Sequence, residues 1–158
     1  MSKPSQPELR FAADVMLGSL AKWLRVLGQD VIYGRHLSGV GLIHAARQEN
    51  RIVLTRDRQL RLKRPQDSIF IESNDFRDQL RQVVSTFHLI PGDDLFKRCL
   101  ICNSLLQPRS KVSVKQAVPE YVFSTQEHFF SCTNCRRIYW PATHHQKMLQ
   151  ELKNLQLE

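Results

Sequence analysis

The chain has no apolar run long enough to span a membrane, and its opening segment MSKPSQPELR lacks the apolar stretch of a signal peptide. It has no surplus cysteine, no glycine-rich phosphate loop, no Ser/His/Asp arrangement, no internal repeat and no low-complexity block. These absences argue against a membrane-spanning helix, a P-loop nucleotide site, a serine-hydrolase triad and a solenoid. The expectation is a cytoplasmic protein without membrane association, with a short disordered leader over residues 1–8. A length of 158 residues suits one ordinary core, or one domain with a small metal-stapled module.

All four cysteines fall into two Cys-x-x-Cys pairs, Cys99/Cys102 and Cys132/Cys135. Two residues between thiols let a tight turn aim both sulfurs at one ion. Two such turns complete a closed tetrahedral zinc site, which leaves no open position for chemistry. A pair of disulfides is the competing reading, but neighbouring Cys-x-x-Cys pairs seldom staple secreted folds. The net charge of +8 and a pI near 9.7 point toward a polyanion such as nucleic acid. The plainer alternative is a basic surface kept for solubility.

Strand-like and helix-like segments alternate over the first half of the chain. Leu9 to Ala13 reads as a buried strand that delivers Asp14 at its end. Met16 to Leu27 has a helical apolar period, with Gly28 placed to stop it. Val31 to Tyr33 is a strand, Val40 to Glu49 a helix, and Arg51 to Thr55 the clearest buried strand. Ser68 to Glu72 and a helix from Phe76 to Phe87 follow. Such alternation predicts a parallel sheet flanked by helices over residues 9–90. A linker over 91–98 then leads to a β-rich zinc module over 99–158. That module has strands near Lys111 to Val114, Phe129 to Ser131 and Ile138 to Trp140, and a final helix capped by Thr143.

Right-handed crossovers bring the C-terminal strand ends to one rim, where open α/β sheets bind ligands. Asp14 and Asp57 each lie just past a strand end, so both belong to that rim. Each alone reads as a helix or turn cap. Together they suit a hard divalent cation, Mg²⁺ or Mn²⁺, that polarises a phosphate. Arg56, Arg58, Arg61, Lys63 and Arg64 surround Asp57, and Lys22 and Arg25 extend the patch from the first helix. The modest reading of these cations is a solvated face; beside two carboxylates they suit a nucleic-acid backbone. The six histidines are read as loop, packing or capping residues, His144 and His145 included.

Three stretches carry a resemblance: Phe11-Ala-Ala-Asp14 through Arg25 with Leu27-Gly28 and Asp30, Arg51 through Asp57 to Leu60, and Gln79-Leu80. Cys99-Leu-Ile-Cys-Asn103, Phe130 through Trp140, Thr143-His144 and Met148 continue it. In order and spacing they resemble the PIN-like ribonuclease family named for the C-terminal domain of the Mut-seven protein. The resemblance implies a PIN-like domain followed by a zinc ribbon, with metal-dependent RNA cleavage. Asp14 and Asp57 match its acidic positions, and the four cysteines match its ribbon ligands. PIN nucleases gather three or four acids, so the resemblance also directs attention to Glu72, Asp75 and Asp78 beyond the next strand. The segment before the second helix, His36-Leu-Ser-Gly-Val-Gly-Leu-Ile43, carries no carboxylate where relatives often carry an acidic run.

The sequence therefore reads as a metal-dependent ribonuclease. Asp14, Asp57, Asp75 and Asp78 are its candidate catalytic acids. Lys22, Arg25, Arg56, Arg58 and Arg61 are its RNA-binding cations, and Cys99, Cys102, Cys132 and Cys135 hold structural zinc. The alternative is a catalytically degenerate RNA- or ribonucleoprotein-binding protein on the same scaffold. RNA is the expected partner, with a homodimer or a ribonucleoprotein as further candidates.

Overall fold

In the computed structural model, which describes residues 8–90 and 92–157, two sheets share the chain. The first is parallel and four-stranded, in the order β2-β1-β3-β4, from β1 (Arg10–Ala13), β2 (Asp30–Ile32), β3 (Ile52–Thr55) and β4 (Ser68–Phe70). The second is antiparallel, with β5 (Leu106–Arg109), β6 (Phe129–Cys132) and β7 (Ile138–Tyr139) in sequence order. The leader expected over residues 1–8 lies outside the described residues except for Glu8, which is exposed and pairs with Arg98 at 3.4 Å.

Strand order decides where the helices go. From β1 the chain steps to β2 on one side, then returns past β1 to β3 on the other. Crossovers of one hand therefore put the first two helices on opposite faces of the sheet. α1 (Gly18–Val26) covers one face with Leu20, Ala21 and Leu24, which pack with Phe11, Ala13, Val31 and Leu54. α2 (Gly39–Gln48) and α3 (Arg58–Lys63) cover the other, with Leu42, Ala46 and Leu60 against Ala12 and Val53. Alternation along each strand sends successive side chains to these two cores.

α4 (Phe76–Phe87) repeats its apolar residues at helical spacing and adds Leu80 and Val83 to the α1 side. Asp75 caps it, accepting the Arg77 N–H at 2.8 Å, and His88 closes it in the left-handed region at φ 52°. α6 (Thr143–Asn154) joins the same core, although the sequence groups it with the ribbon. Its buried Met148 and Leu152, with Leu155 at its C-terminal cap, lie in the α1 cluster, and Arg77 pairs with Glu151. A fully buried aliphatic side chain is worth about 1.5–3 kcal/mol, so three of them anchor the helix to the sheet. The Thr143 cap does not form: Ala142 stands at the N-cap and no side chain bonds there.

Gly28 ends α1 at φ 85°, and its amide bonds to the Arg25 carbonyl at 2.9 Å. A Cβ at Gly28 would meet the Asp94 carbonyl oxygen at 2.4 Å, so this turn requires glycine twice over.

Two short helices and one strand depart from the sequence expectation. The segment expected as a strand near Lys111 to Val114 is a 3₁₀ turn over Val112–Val114. There the Ser113 hydroxyl and amide both bond back to the Ser110 carbonyl, at 2.7 and 3.1 Å, and the local bonds displace a ladder. α5 (Glu120–Thr125) buries no residue, and α3 buries Leu60 alone, so neither announces itself by periodicity.

Candidate active-site rim and metal centre

The topological switch point of the parallel sheet lies between β1 and β3, the place where open α/β sheets form a ligand crevice. Asp14 follows β1 and Asp57 follows β3. The Asp14 amide continues the ladder, donating to the Leu54 carbonyl at 2.9 Å. Its Oδ1 accepts the Val15 N–H at 2.7 Å and opens the 3₁₀ turn Val15–Leu17 that precedes α1. Its Oδ2 accepts the Thr55 hydroxyl at 2.8 Å. Thr55 Oγ1 in turn accepts the Asp57 N–H at 2.9 Å. One buried hydroxyl thus ties both acids to the end of β3.

Asp57 caps α3: its Oδ1 accepts the N–H groups of Gln59 and Leu60 at 2.9 and 3.3 Å. The capping roles weighed for both aspartates are therefore real, yet they do not use up the carboxylates. Each carboxylate has about four lone-pair sites. Asp57 Oδ2 has no hydrogen-bond partner among the described residues, and Asp57 is exposed. Asp14 is only 4% exposed and forms no ion pair among the described residues. A buried carboxylate without a cationic partner is costly, which makes the Asp14 position fit a cation.

The other acids stand apart. Asp75 caps α4, and Asp78 accepts the Ser73 hydroxyl at 3.2 Å and pairs with Arg81 at 3.3 Å. Glu72 is exposed beyond β4. Among the described residues, no group of three or more carboxylates or imidazoles brings its ligand atoms within metal-sharing distance. The loop after β2, on the same rim, carries Arg35 and His36 rather than an acid.

The cations divide in the same way. Arg56 donates to the Ile71 carbonyl at 2.9 Å, and Arg58 lies over the Phe70 ring at 5.0 Å. Arg61 stands in the last turn of α3, and Lys22 is exposed on α1. Arg25, expected to bind RNA, is buried. Its Nε and Nη2 donate to the Val31 carbonyl at 3.0 and 2.8 Å, and its Nη1 to the Leu100 and Ile101 carbonyls at 3.0 and 3.2 Å. Sequence reasoning placed it on a charged face because two of its three partner carbonyls lie 75 and 76 residues away.

Those partner carbonyls belong to the first cysteine turn. Cys99, Cys102, Cys132 and Cys135 bring their sulfurs within 4.8 Å of one another, an arrangement able to hold a metal ion and consistent with zinc. All four are free thiols, and the Cys102–Cys132 sulfurs are 3.1 Å apart against about 2.05 Å in a disulfide, which removes the disulfide reading. The Asn134 and Cys135 amides point at the Cys132 sulfur at 3.4 Å, as a thiolate requires. Burial opposes ionisation of Cys102, but hydrogen bonds from Ser104, Cys132 and Asn134 bring its pKa down to about 5. At Cys135 the Arg137 amide favours the thiolate, yet burial and the neighbouring sulfurs push the pKa up to about 11. Four thiolates crowd together comfortably only around a cation.

The knuckle is bolted to the parallel sheet. Asn103 donates to Asp30 Oδ1 at 2.7 Å and accepts the Val31 amide at 3.0 Å, and Arg51 also reaches Asp30 at 2.7 Å. Arg98 donates to the Gly28 carbonyl at 3.1 Å.

The family model described as the Mut7-C RNAse domain matches residues 9–152, nearly the whole chain. The chain belongs to the Mut7-C RNAse domain family. No curated protein matches it. Membership accounts for both parts at once, since the match runs from the strand that delivers Asp14 through the cysteine cluster to α6. A Mut7-C RNAse domain implies ribonuclease-type function with RNA as the substrate. No helix among the described residues is long and apolar enough to cross a membrane.

Proposed function

We propose that this protein is a metal-dependent ribonuclease that hydrolyses RNA phosphodiester bonds at the rim between β1 and β3. The observation that carries the reading is Asp14: a buried carboxylate, without an ion pair among the described residues, at the switch point that Asp57 shares. Family membership supplies the substrate class.

Asp14 and Asp57 would hold one Mg²⁺ or Mn²⁺, and two carboxylates suffice for an ion that keeps several waters and takes substrate phosphate oxygens. When bound, the ion supplies an activated water and offsets charge on the phosphate. The chain's own part is orientation. Thr55 and the Val15 amide fix both oxygens of Asp14, and the first turn of α3 fixes Asp57 Oδ1 while leaving Oδ2 open. Lys22 and Arg61, which have no ion-pair partner among the described residues, and Arg58 are the cations available to flanking phosphates. The cysteine cluster holds structural zinc, which stabilises the knuckle that grips β2. Asp75 and Asp78, which cap and flank the start of α4, would act only as helpers at that end of the rim.

A second reading is favoured by one observation: no third carboxylate joins Asp14 and Asp57 among the described residues. On that reading the same surface binds RNA and leaves it intact. Incubation of purified protein with RNA and Mn²⁺ separates the two. A ribonuclease yields fragments that Asp57→Asn abolishes, while a binder returns whole RNA with salt-sensitive affinity.

A further inference from the structure

Between α1 and the cysteine module lies a cleft of about 800 Å³, within the size range of pockets that enclose a ligand. Its chemistry is one-sided. Lys22 contributes a cation from α1, Arg136 and Arg137 contribute two from the second knuckle, and Tyr33, Tyr139 and Trp140 contribute aromatic surface. No carboxylate lines it. Lys22, Arg136 and Arg137 are exposed and have no ion pair among the described residues.

Arg136 has a backbone feature that bears on this. The residue after each second cysteine is left-handed: Asn103 at φ 72° and Arg136 at φ 62°. Glycine is the easy occupant of such a position, and asparagine is tolerated there. Asn103 repays its conformation by docking on Asp30 and Val31. The Arg136 side chain makes no hydrogen bond or ion pair among the described residues. Arg136 is thus a long cation at a glycine-like position whose guanidinium has no partner among the described residues.

One end of the cleft is linked to the acidic rim by hydrogen bonds. Gly18 and Tyr33 form its α1 end. Tyr33 donates its hydroxyl to the Val15 carbonyl at 2.9 Å, and Val15 is the residue whose amide Asp14 accepts. A chain lying in the cleft therefore leads toward Asp14.

We infer that this cleft grips an unpaired stretch of RNA, with phosphates on Arg136, Arg137 and Lys22 and a base against Trp140, and feeds the strand to the rim. Unpaired bases offer faces for aromatic stacking, whereas a duplex keeps its bases stacked on each other. The substrate class rests on the ribonuclease reading; the form of the RNA and the place of grip go beyond it.

The test is fluorescence anisotropy with zinc-loaded protein, no added Mg²⁺ or Mn²⁺, and two labelled RNAs: an unstructured decamer and a duplex of equal length. The decamer binds more tightly. The double variant Arg136→Gly, Arg137→Gln weakens it and lowers the slope of log K against log salt by about 1.4, at roughly 0.7 for each single-strand phosphate no longer neutralised. Trp140→Leu weakens binding about tenfold with the slope unchanged. Asp57→Asn keeps the preference for decamer over duplex, so loss of cleavage in that variant with the preference intact separates the rim from the cleft. Bound zinc is measured in each variant, and if Trp140→Leu fails to fold, the exposed arginines carry the test alone. Equal affinity for decamer and duplex, or parental binding by the arginine double variant, overturns the inference even where the protein cleaves RNA.

Discussion

The Thr55 hydroxyl donates to Asp14 Oδ2 at 2.8 Å from a side chain with no solvent exposure. Because the same oxygen accepts the Asp57 amide, Thr55 sets the relation between the two rim acids. Thr55→Val keeps the shape but strands both partners. The expected loss is about 1–3 kcal/mol, read as a lower urea midpoint. Thr55→Ser retains the hydroxyl and regains most of that loss. A Thr55→Val protein as stable as the parent would remove Thr55 from this role.

Arg25 should behave as a structural bolt. Its guanidinium satisfies the Val31, Leu100 and Ile101 carbonyls, and burial lowers its pKa while negative charge on Cys99 and Cys102 acts the other way. Arg25→Met leaves those carbonyls without donors, and the expected cost is about 3 kcal/mol. Zinc transfer to a chromophoric chelator should also quicken. Parental stability with faster RNA release would instead mean that Arg25 faces the nucleic acid.

Metal removal should be felt beyond the cysteines. Asn103 holds the Val31 amide, so stripping the metal frees the knuckle and exposes an edge strand. Hydrogen exchange is expected to accelerate at Val31 in β2 and throughout β5, β6 and β7. Val53 in β3, inside the sheet, keeps its protection. Unchanged exchange at Val31 after chelation would uncouple the two sheets.

The fold was legible where burial imposes a period, and the site only in part. α4 and β3 announce themselves through Leu80 and Val83 and through Val53 and Leu54, all buried. α3 hides behind its cations with one buried residue, and β5, which contains Pro108, has no alternation to read. Asp14, Asp57 and the four cysteines could be singled out because strand ends and Cys-x-x-Cys spacing are local signals. The docking roles of Arg25, Asn103 and Asp30 could not be read, since the bonds from Arg25 to Leu100 and from Asn103 to Asp30 span more than seventy positions. The cleft that Arg136 and Arg137 line becomes visible only once the cysteine module is docked beside α1.

His145 gives the fold a pH signature. It packs on Phe96 with ring centres 3.9 Å apart, and burial holds its pKa below the ordinary 6.5. The folded state thus favours neutral imidazole, and the unfolded chain takes the proton first as pH falls. The His145 contribution is complete above 6.5 and is lost as pH drops from there toward the folded value. His145→Phe should flatten the stability profile between about pH 7 and pH 5. An identical profile in the variant would assign that pH dependence elsewhere.

The central claim is that Asp14 and Asp57 share a divalent cation, and Mn²⁺ binding tests it without reference to turnover. Zinc-loaded protein is titrated with Mn²⁺ while the resonance signal of free ion is followed. The account predicts saturable uptake by the parent, and its loss in both Asp14→Asn and Asp57→Asn. Asparagine keeps the capping bonds to the Val15, Gln59 and Leu60 amides, and the urea midpoint of each variant checks that the fold survives. Undiminished uptake by either variant would contradict the shared site.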